Sequence, residues 1–86
     1  MYHITIEPRK QAQVDHISRR VRKLRCEHFW TQVELAERVG IGRATVARIE
    51  GGKSIPHMAT IRKLAQVLGV SAQELVTDAE ALWSRM

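Results

Sequence analysis

The chain has 86 residues, which suits one small domain, and 44% of them are hydrophobic, which excludes disorder as the default state. The formal charge is +5, and all of it arises in residues 1–53, which hold eleven basic and six acidic side chains. This asymmetry is typical of a polyanion-binding face, although a solvated surface with extra lysine and arginine would give the same totals.

The N-terminal residues 2–7 alternate in polarity, which predicts a short strand with Tyr2, Ile4 and Ile6 on one side. Pro8 is expected to end that strand. Because one strand needs a pairing partner, a loose N-terminal arm is an equally good interpretation. The N-terminus lacks the apolar segment of a signal peptide and no apolar run reaches membrane-spanning length, so we expect a cytosolic protein.

A first helix is predicted from about Ala12 to Glu27, because apolar residues recur at helical spacing and basic residues fill the other faces. The apolar stripe consists of Val14, Ile17, Val21 and Leu24. Cys26 is expected to be a small, partly buried side chain of this helix. As the single cysteine it excludes an internal disulfide, and with four scattered histidines it gives no zinc-ligand spacing.

The second helix opens with a capping box, because Glu34 follows Thr31 by three residues. The helix is predicted to be about two turns long, and Gly40 stands where a left-handed residue ends a helix. Gly42 can then serve as the N-cap of a third helix that runs from Arg43 to about Glu50. Two short helices joined by a tight glycine turn can cross at a steep angle.

The remaining elements follow a loop at residues 51–56, where glycine, serine and proline are concentrated. A fourth helix is predicted at about His57 to Leu68, and the spacing of Ser71 and Glu74 opens a short fifth helix. These elements divide the chain into an arm or strand at 1–11, a domain at 12–77 and a helical tail at 78–86. The tail carries an apolar stripe that includes Leu82, Trp83 and Met86.

The third helix has two contrasting faces when its residues are placed about 100° apart. One face is apolar and contains Val46 and Ile49, whereas the other carries two arginines separated by alanines. Arginine can donate two hydrogen bonds to guanine in the major groove, and alanine can contact a thymine methyl group. Considered alone, however, such arginines are better interpreted as ordinary exposed residues of a helix surface.

From Arg25 to Leu75 the chain resembles the phage-repressor/Cro type of helix-turn-helix family, often called XRE-like. The matching stretches are LR (24–25), TQVELAERVGIGRATVARIEGGKSIP (31–56) and IRKLAQVLGVSAQEL (61–75). The resemblance implies an all-α, five-helix bundle of the lambda-repressor type whose third helix lies in the DNA major groove. Gly42 stands where the family usually has a serine or threonine N-cap. This departure removes one hydroxyl contact and makes the start of the third helix less rigid.

The resemblance also implies roles for individual positions. The base-reading positions are Arg43, Ala44 and Arg48, with Thr45 and Ala47 as secondary candidates. The phosphate-binding positions are Thr31 and Gln32 at the start of the second helix, and Gly51, Gly52 and Lys53 in the loop after the third helix. Arg25 and Glu50 match a buried ion pair, for which a structural role is expected.

The expected function is that of a sequence-specific regulator, a repressor, which binds a palindromic DNA operator as a homodimer. The dimer contact is assigned first to Leu82, Trp83 and Met86 of the tail, or instead to Tyr2, Ile4 and Ile6 of the strand. Packing of the tail stripe against the first and fifth helices is a nearly equal alternative to its role in a dimer. An alternative is an antitoxin that binds a toxin protein as well as DNA. An enzyme is poorly supported because no catalytic set of residues is evident, and no cofactor, metal or membrane partner is expected.

Overall fold

The computed structural model describes residues 8–76, which form five α-helices in chain order. These helices are α1 (Pro8–Glu27), α2 (Gln32–Val39), α3 (Arg43–Glu50), α4 (Met58–Leu68) and α5 (Ala72–Val76). The expected all-α, five-helix fold is confirmed, and residues 8–76 contain no strand. The predicted strand residues Tyr2, Ile4 and Ile6 and the tail residues Leu82, Trp83 and Met86 lie outside the described residues.

Helix α1 begins at Pro8, about one turn before the predicted start at Ala12. Pro8, which was expected to end the predicted strand, is itself the first residue of α1, and residues 2–7 lie outside the described residues. Proline is favoured in the first turn of a helix, because its missing N–H has no intrahelical partner there and its fixed φ suits the helix. The alternating residues before Pro8 obscured this signal.

All five helices contribute to a shared hydrophobic core. Val21, Leu35, Val46, Leu64 and Leu75, one from each helix, are each 0% exposed. Helix α1 packs against α3, α4 and α5, while α2 packs against α3 and α4. The short helices α2 and α3 are thus held from both sides, which matters because isolated helices of this length are not stable in water.

The expectation of a partly buried Cys26 is wrong, because this thiol is exposed. Cys26 follows Leu24 by two residues, which places it about 200° around α1 from the buried stripe. The stripe itself is confirmed, with Val14, Ile17 and Val21 at most 1% exposed.

Three of the helices end at a residue in the left-handed conformation, which breaks the helix and turns the chain. Gly40 has a φ of 81° and Gly69 a φ of 79°, whereas the corresponding residue after α1 is Phe29, with a φ of 58°. The Phe29 N–H donates to the Cys26 carbonyl at 2.9 Å, and the Trp30 N–H donates to the Arg25 carbonyl at 3.2 Å. These two bonds form a Schellman motif, in which glycine usually occupies the left-handed position.

Candidate nucleic-acid interface

The turn between α2 and α3 is built by backbone hydrogen bonds. The N–H groups of Gly40 and Ile41 both donate to the Ala36 carbonyl, at 2.8 and 3.0 Å. Gly42 then adopts an extended conformation, with φ −74° and ψ 150°, as the N-cap residue of α3. The predicted roles of both glycines in ending α2 and starting α3 are thus confirmed.

Helix α3 is held to the core by Val46 and Ile49, which are 0% and 2% exposed. The residues assigned to base reading are all exposed, namely Arg43, Ala44, Thr45, Ala47 and Arg48. The helix therefore presents two arginines separated by small side chains, as its sequence predicted. Small residues between the arginines allow the helix backbone to approach a surface closely.

The start of α2 has the predicted capping box. The Thr31 hydroxyl accepts a hydrogen bond from the Glu34 N–H at 3.1 Å, and the Thr31 N–H donates to Glu34 Oε1 at 3.1 Å. The Thr31 hydroxyl thus caps the N-terminus of α2 as an acceptor, and its O–H can still donate a hydrogen bond. Gln32, the first residue of α2, is half-buried, and its Nε2 donates to Glu50 Oε1 at 3.3 Å.

The expected ion pair between Arg25 and Glu50 is present and mostly buried, with side chains 15% and 4% exposed. Arg25 Nε donates to Glu50 Oε2 at 2.7 Å, and Nη2 donates to Oε1 at 2.9 Å, which gives a bidentate geometry. The third guanidinium nitrogen, Nη1, donates to the Trp30 carbonyl at 2.7 Å. The hydrogen bonds that the guanidinium donates to the Glu50 carboxylate raise the pKa of Arg25, because they favour its charged form.

The first three residues of the loop after α3 have their backbone donors engaged within the chain. The N–H groups of Gly51, Gly52 and Lys53 donate to the carbonyls of Ala47, Ile49 and Arg48, at 2.9, 3.2 and 3.1 Å. These bonds close the C-terminal end of α3. The Lys53 side chain is exposed. Of the three phosphate-binding residues predicted in this loop, Lys53 is therefore the one whose ammonium group can donate to an external phosphate.

Gly52 has a structural reason to be glycine. Its φ is 66°, and a Cβ at this position would lie 3.5 Å from Asp15 Oδ1 and 3.8 Å from Val14 Cγ1 on α1. The residue is half-buried against α1. A left-handed conformation next to a packed helix favours a residue without a side chain.

Sequence reasoning missed two features that fix this region. Ser18 Oγ of α1 donates to the Glu50 carbonyl at 2.5 Å, which ties the end of α3 to α1. The Trp30 ring stacks on His28, with centroids 4.2 Å apart, and the Arg38 guanidinium lies 4.4 Å from the Trp30 centroid. Ser18 and His28 gave no sequence signal for these contacts, because the partner of Ser18 is distant in sequence and that of His28 depends on the turn.

Two kinds of site are not found in the part of the chain that the structure describes. Residues 8–76 contain no cluster of three or more histidine, cysteine or acidic side chains that could hold a metal ion. Over the same residues, no helix combines the length and the apolar character that crossing a membrane requires.

The geometry defines a class of protein: two short helices joined by a glycine turn, the second presenting an arginine-bearing face, form a helix-turn-helix unit. The model of the HTH_3 helix-turn-helix family matches residues 21–75. The chain therefore belongs to this family of DNA-binding transcriptional regulators, which are not enzymes.

Curated relatives support this assignment. The chain is 40% identical over 63 residues to the cryptic phage CTXphi transcriptional repressor RstR of Vibrio cholerae, an alignment that covers 73% of this chain and 57% of that repressor. It is 36% identical over 67 residues to an HTH-type transcriptional regulator of Archaeoglobus fulgidus, covering 77% of this chain and 96% of that protein.

Solved structures share the fold. A hypothetical transcription factor, NHTF from Neisseria, matches with a TM-score of 0.75 and 26% identity over 100% of both chains. The restriction-modification controller protein C.AhdI from Aeromonas hydrophila matches with a TM-score of 0.70 and 31% identity, over 74% of this chain and 97% of that one.

Proposed function

We propose that the protein is a sequence-specific DNA-binding repressor that binds a palindromic operator as a homodimer, with α3 in the major groove. The observation that carries the proposal is the exposed face of α3, where Arg43 and Arg48 flank small residues while Val46 and Ile49 fix the helix to the core. A face of this kind can enter the major groove and donate to guanine. The relative RstR is named as a transcriptional repressor, which supports repression here.

The proposal assigns each residue a role toward DNA. Arg43, Ala44 and Arg48 read bases, and Thr45 and Ala47 assist them. Gln32 binds a phosphate at the N-terminus of α2, where backbone N–H groups and the helix dipole favour an anion, with Thr31 as its N-cap. Lys53 binds a phosphate through its ammonium group, while Gly51 and Gly52 shape the loop that carries it.

The central experiment is the selection of bound duplexes from a random pool, followed by measurement of the mass of the complex. We expect a palindromic site with half-sites about one helical turn (~34 Å) apart and two protein chains per duplex. Equal affinity for every duplex at physiological salt would contradict the proposal. A second, different protein that co-purifies with the chain would instead favour the antitoxin hypothesis.

Replacing Arg48 with alanine tests base reading. The loss of a bidentate contact to guanine should weaken binding to the selected site by about 1–3 kcal/mol and relax the preference at one base position. Arg19→Ala is the matched control, because Arg19 is an exposed arginine of α1 outside the assigned residues. Unchanged affinity and unchanged preference in Arg48→Ala would show that α3 is docked differently.

Replacing Lys53 with alanine tests phosphate binding. Because a phosphate contact carries no base information, binding to all duplexes should weaken alike, and the slope of log affinity against log salt should fall by about one. Lys63→Ala removes the same charge from the exposed surface of α4 and is expected to leave the slope nearer to that of the wild type. An identical slope in both variants would remove Lys53 from the proposed interface.

A further inference from the structure

Glu50 links the two DNA-facing elements of the proposed interface. The residue ends α3, and its carboxylate oxygen Oε1 accepts hydrogen bonds from both Arg25 Nη2 and Gln32 Nε2, at 2.9 and 3.3 Å. The Glu50 side chain is only 4% exposed, so the carboxylate is shielded from solvent. One buried side chain therefore contacts both α1 and the first residue of α2 from the end of the base-reading helix.

The carboxylate determines which way the Gln32 amide is turned. An ionised carboxylate only accepts hydrogen bonds, so the Gln32 amide must direct its nitrogen rather than its oxygen toward Glu50. The same nitrogen carries a second N–H. Because one N–H of this nitrogen donates to Glu50, the other N–H remains at the N-terminus of α2, where an anion is favoured.

The ion pair also removes an electrostatic conflict. A carboxylate beside a phosphate-binding amide would repel the phosphate, but Arg25 neutralises it through two hydrogen bonds of 2.7 and 2.9 Å. Arg25 Nη1 holds the Trp30 carbonyl as well, which fixes the backbone two residues before Gln32. The neutral pair thus orients the amide without opposing the anion.

We propose that Glu50 is a positioning residue for DNA binding, which orients the Gln32 amide toward a DNA phosphate and couples that contact to the placement of α3. The inference rests on the proposed function, and it assigns to Glu50 a role toward DNA besides its structural role in the ion pair. Through this side chain, the phosphate contact of α2 and the base contacts of α3 keep a fixed separation.

A double-mutant cycle on DNA affinity separates positioning from stability. Gln32→Ala is expected to weaken binding to the selected duplex about tenfold, and Glu50→Gln about fivefold, since each alters one phosphate contact. If Glu50 acts through Gln32, the double variant binds as weakly as Gln32→Ala alone. Circular dichroism confirms that each variant is folded at the temperature used, and Gln66→Ala, an exposed glutamine of α4, serves as the control.

An additive result would overturn the inference: the effect of Glu50→Gln would then be the same with and without Gln32, as expected of a purely structural residue. Failure of the proposed function is a distinct outcome, because the wild-type protein would then select no duplex at all. The cycle is therefore run only on a duplex that the wild-type protein has selected.

A measurement on the wild-type protein does not depend on the folding of Glu50→Gln. In proton–nitrogen NMR spectra, the Gln32 side-chain amide is assigned by its absence in Gln32→Ala. One of its two protons should exchange with water more slowly than those of the exposed Gln66, and the amide signals should shift when the selected duplex is added. Exchange as fast as in Gln66, or no shift on DNA binding, would contradict the inference.

Discussion

The two junctions that flank α2 are built in different ways. The junction between α1 and α2 adds side-chain contacts to its Schellman backbone hydrogen bonds: Arg25 donates to the Trp30 carbonyl at 2.7 Å, and the Trp30 ring lies between 4 and 5 Å from both its stacking partner His28 and Arg38. The junction between α2 and α3 is held by backbone hydrogen bonds from Gly40 and Ile41. Glycine thus supplies the turn at one junction, while side chains stabilise it at the other.

This difference matches the positions of the two junctions in the proposed interface. The α2–α3 turn lies directly before the exposed face of α3, and small residues there keep bulk away from a bound duplex. The α1–α2 junction lies beside the buried ion pair, where a half-buried tryptophan can be packed. The comparison predicts that side-chain substitutions weaken the first junction most and backbone-restricting substitutions weaken the second.

The largest effect is expected from Arg25→Ala. The substitution leaves the Glu50 carboxylate buried without its partner and removes the bond to Trp30, which should lower the free energy of unfolding by about 3–5 kcal/mol. Arg22→Ala, on the exposed surface of the same helix, should change it by about 0.5 kcal/mol or less. Urea unfolding followed by circular dichroism measures both, and a loss in Arg25→Ala as small as that in Arg22→Ala would contradict the assigned role.

The pH dependence of the Arg25 contribution follows from the direction of its pKa shift. Hydrogen bonding to Glu50 raises the pKa of Arg25 in the folded state, so the contribution is complete at any pH below the unfolded-state pKa and is lost only in strong alkali. The pKa shift of Arg25 makes the wild type more stable than Arg25→Ala. This contribution to the difference in the free energy of unfolding should be constant between about pH 6 and pH 9. A difference that falls steadily over this interval would show that another group controls it.

Gly40→Ala should have the next largest effect. A Cβ at Gly40 would meet no atom within 4 Å, so the cost arises only from its φ of 81°, which disfavours a residue with a side chain. We expect a loss of about 1–2 kcal/mol in the free energy of unfolding. Gly40→Asn is the matched control, since asparagine tolerates the left-handed conformation better and should lose less. Equal losses would point to a cause other than backbone strain.

The sequence predicted the α2–α3 junction better than the α1–α2 junction, for a physical reason. Gly40 and Gly42 are local signals, because each marks a backbone conformation at its own position. The stretch His28–Trp30 contains no glycine, so a Schellman turn with a left-handed Phe29 was not predicted. The partners of Glu50 likewise depend on how α1, α2 and α3 pack, although the family resemblance did indicate Arg25.

Phe29→Gly should stabilise the protein, since it relieves the left-handed strain that Gly40 avoids. Phe29 is 93% exposed, so little buried contact is lost with its ring. The gain is reduced because glycine adds freedom to the unfolded chain, which leaves about 0.5–1 kcal/mol. Phe29→Ala is the control: it also removes the ring but keeps the strained φ, so it should give no comparable gain. A gain in both variants would assign the effect to the ring.

The smallest effect is expected from Gly42→Ser, which gives the backbone-built junction a side-chain hydrogen bond of the kind found at Thr31. Gly42 has φ −74° and ψ 150°, which serine adopts without strain, and a Cβ there would lie 3.8 Å from Thr45 Oγ1. The serine hydroxyl can accept from the Thr45 N–H, which should stabilise the protein by a few tenths of a kcal/mol. Gly42→Ala lacks the hydroxyl and should lose stability, so opposite signs for these variants would show that the start of α3 is limited by its missing cap.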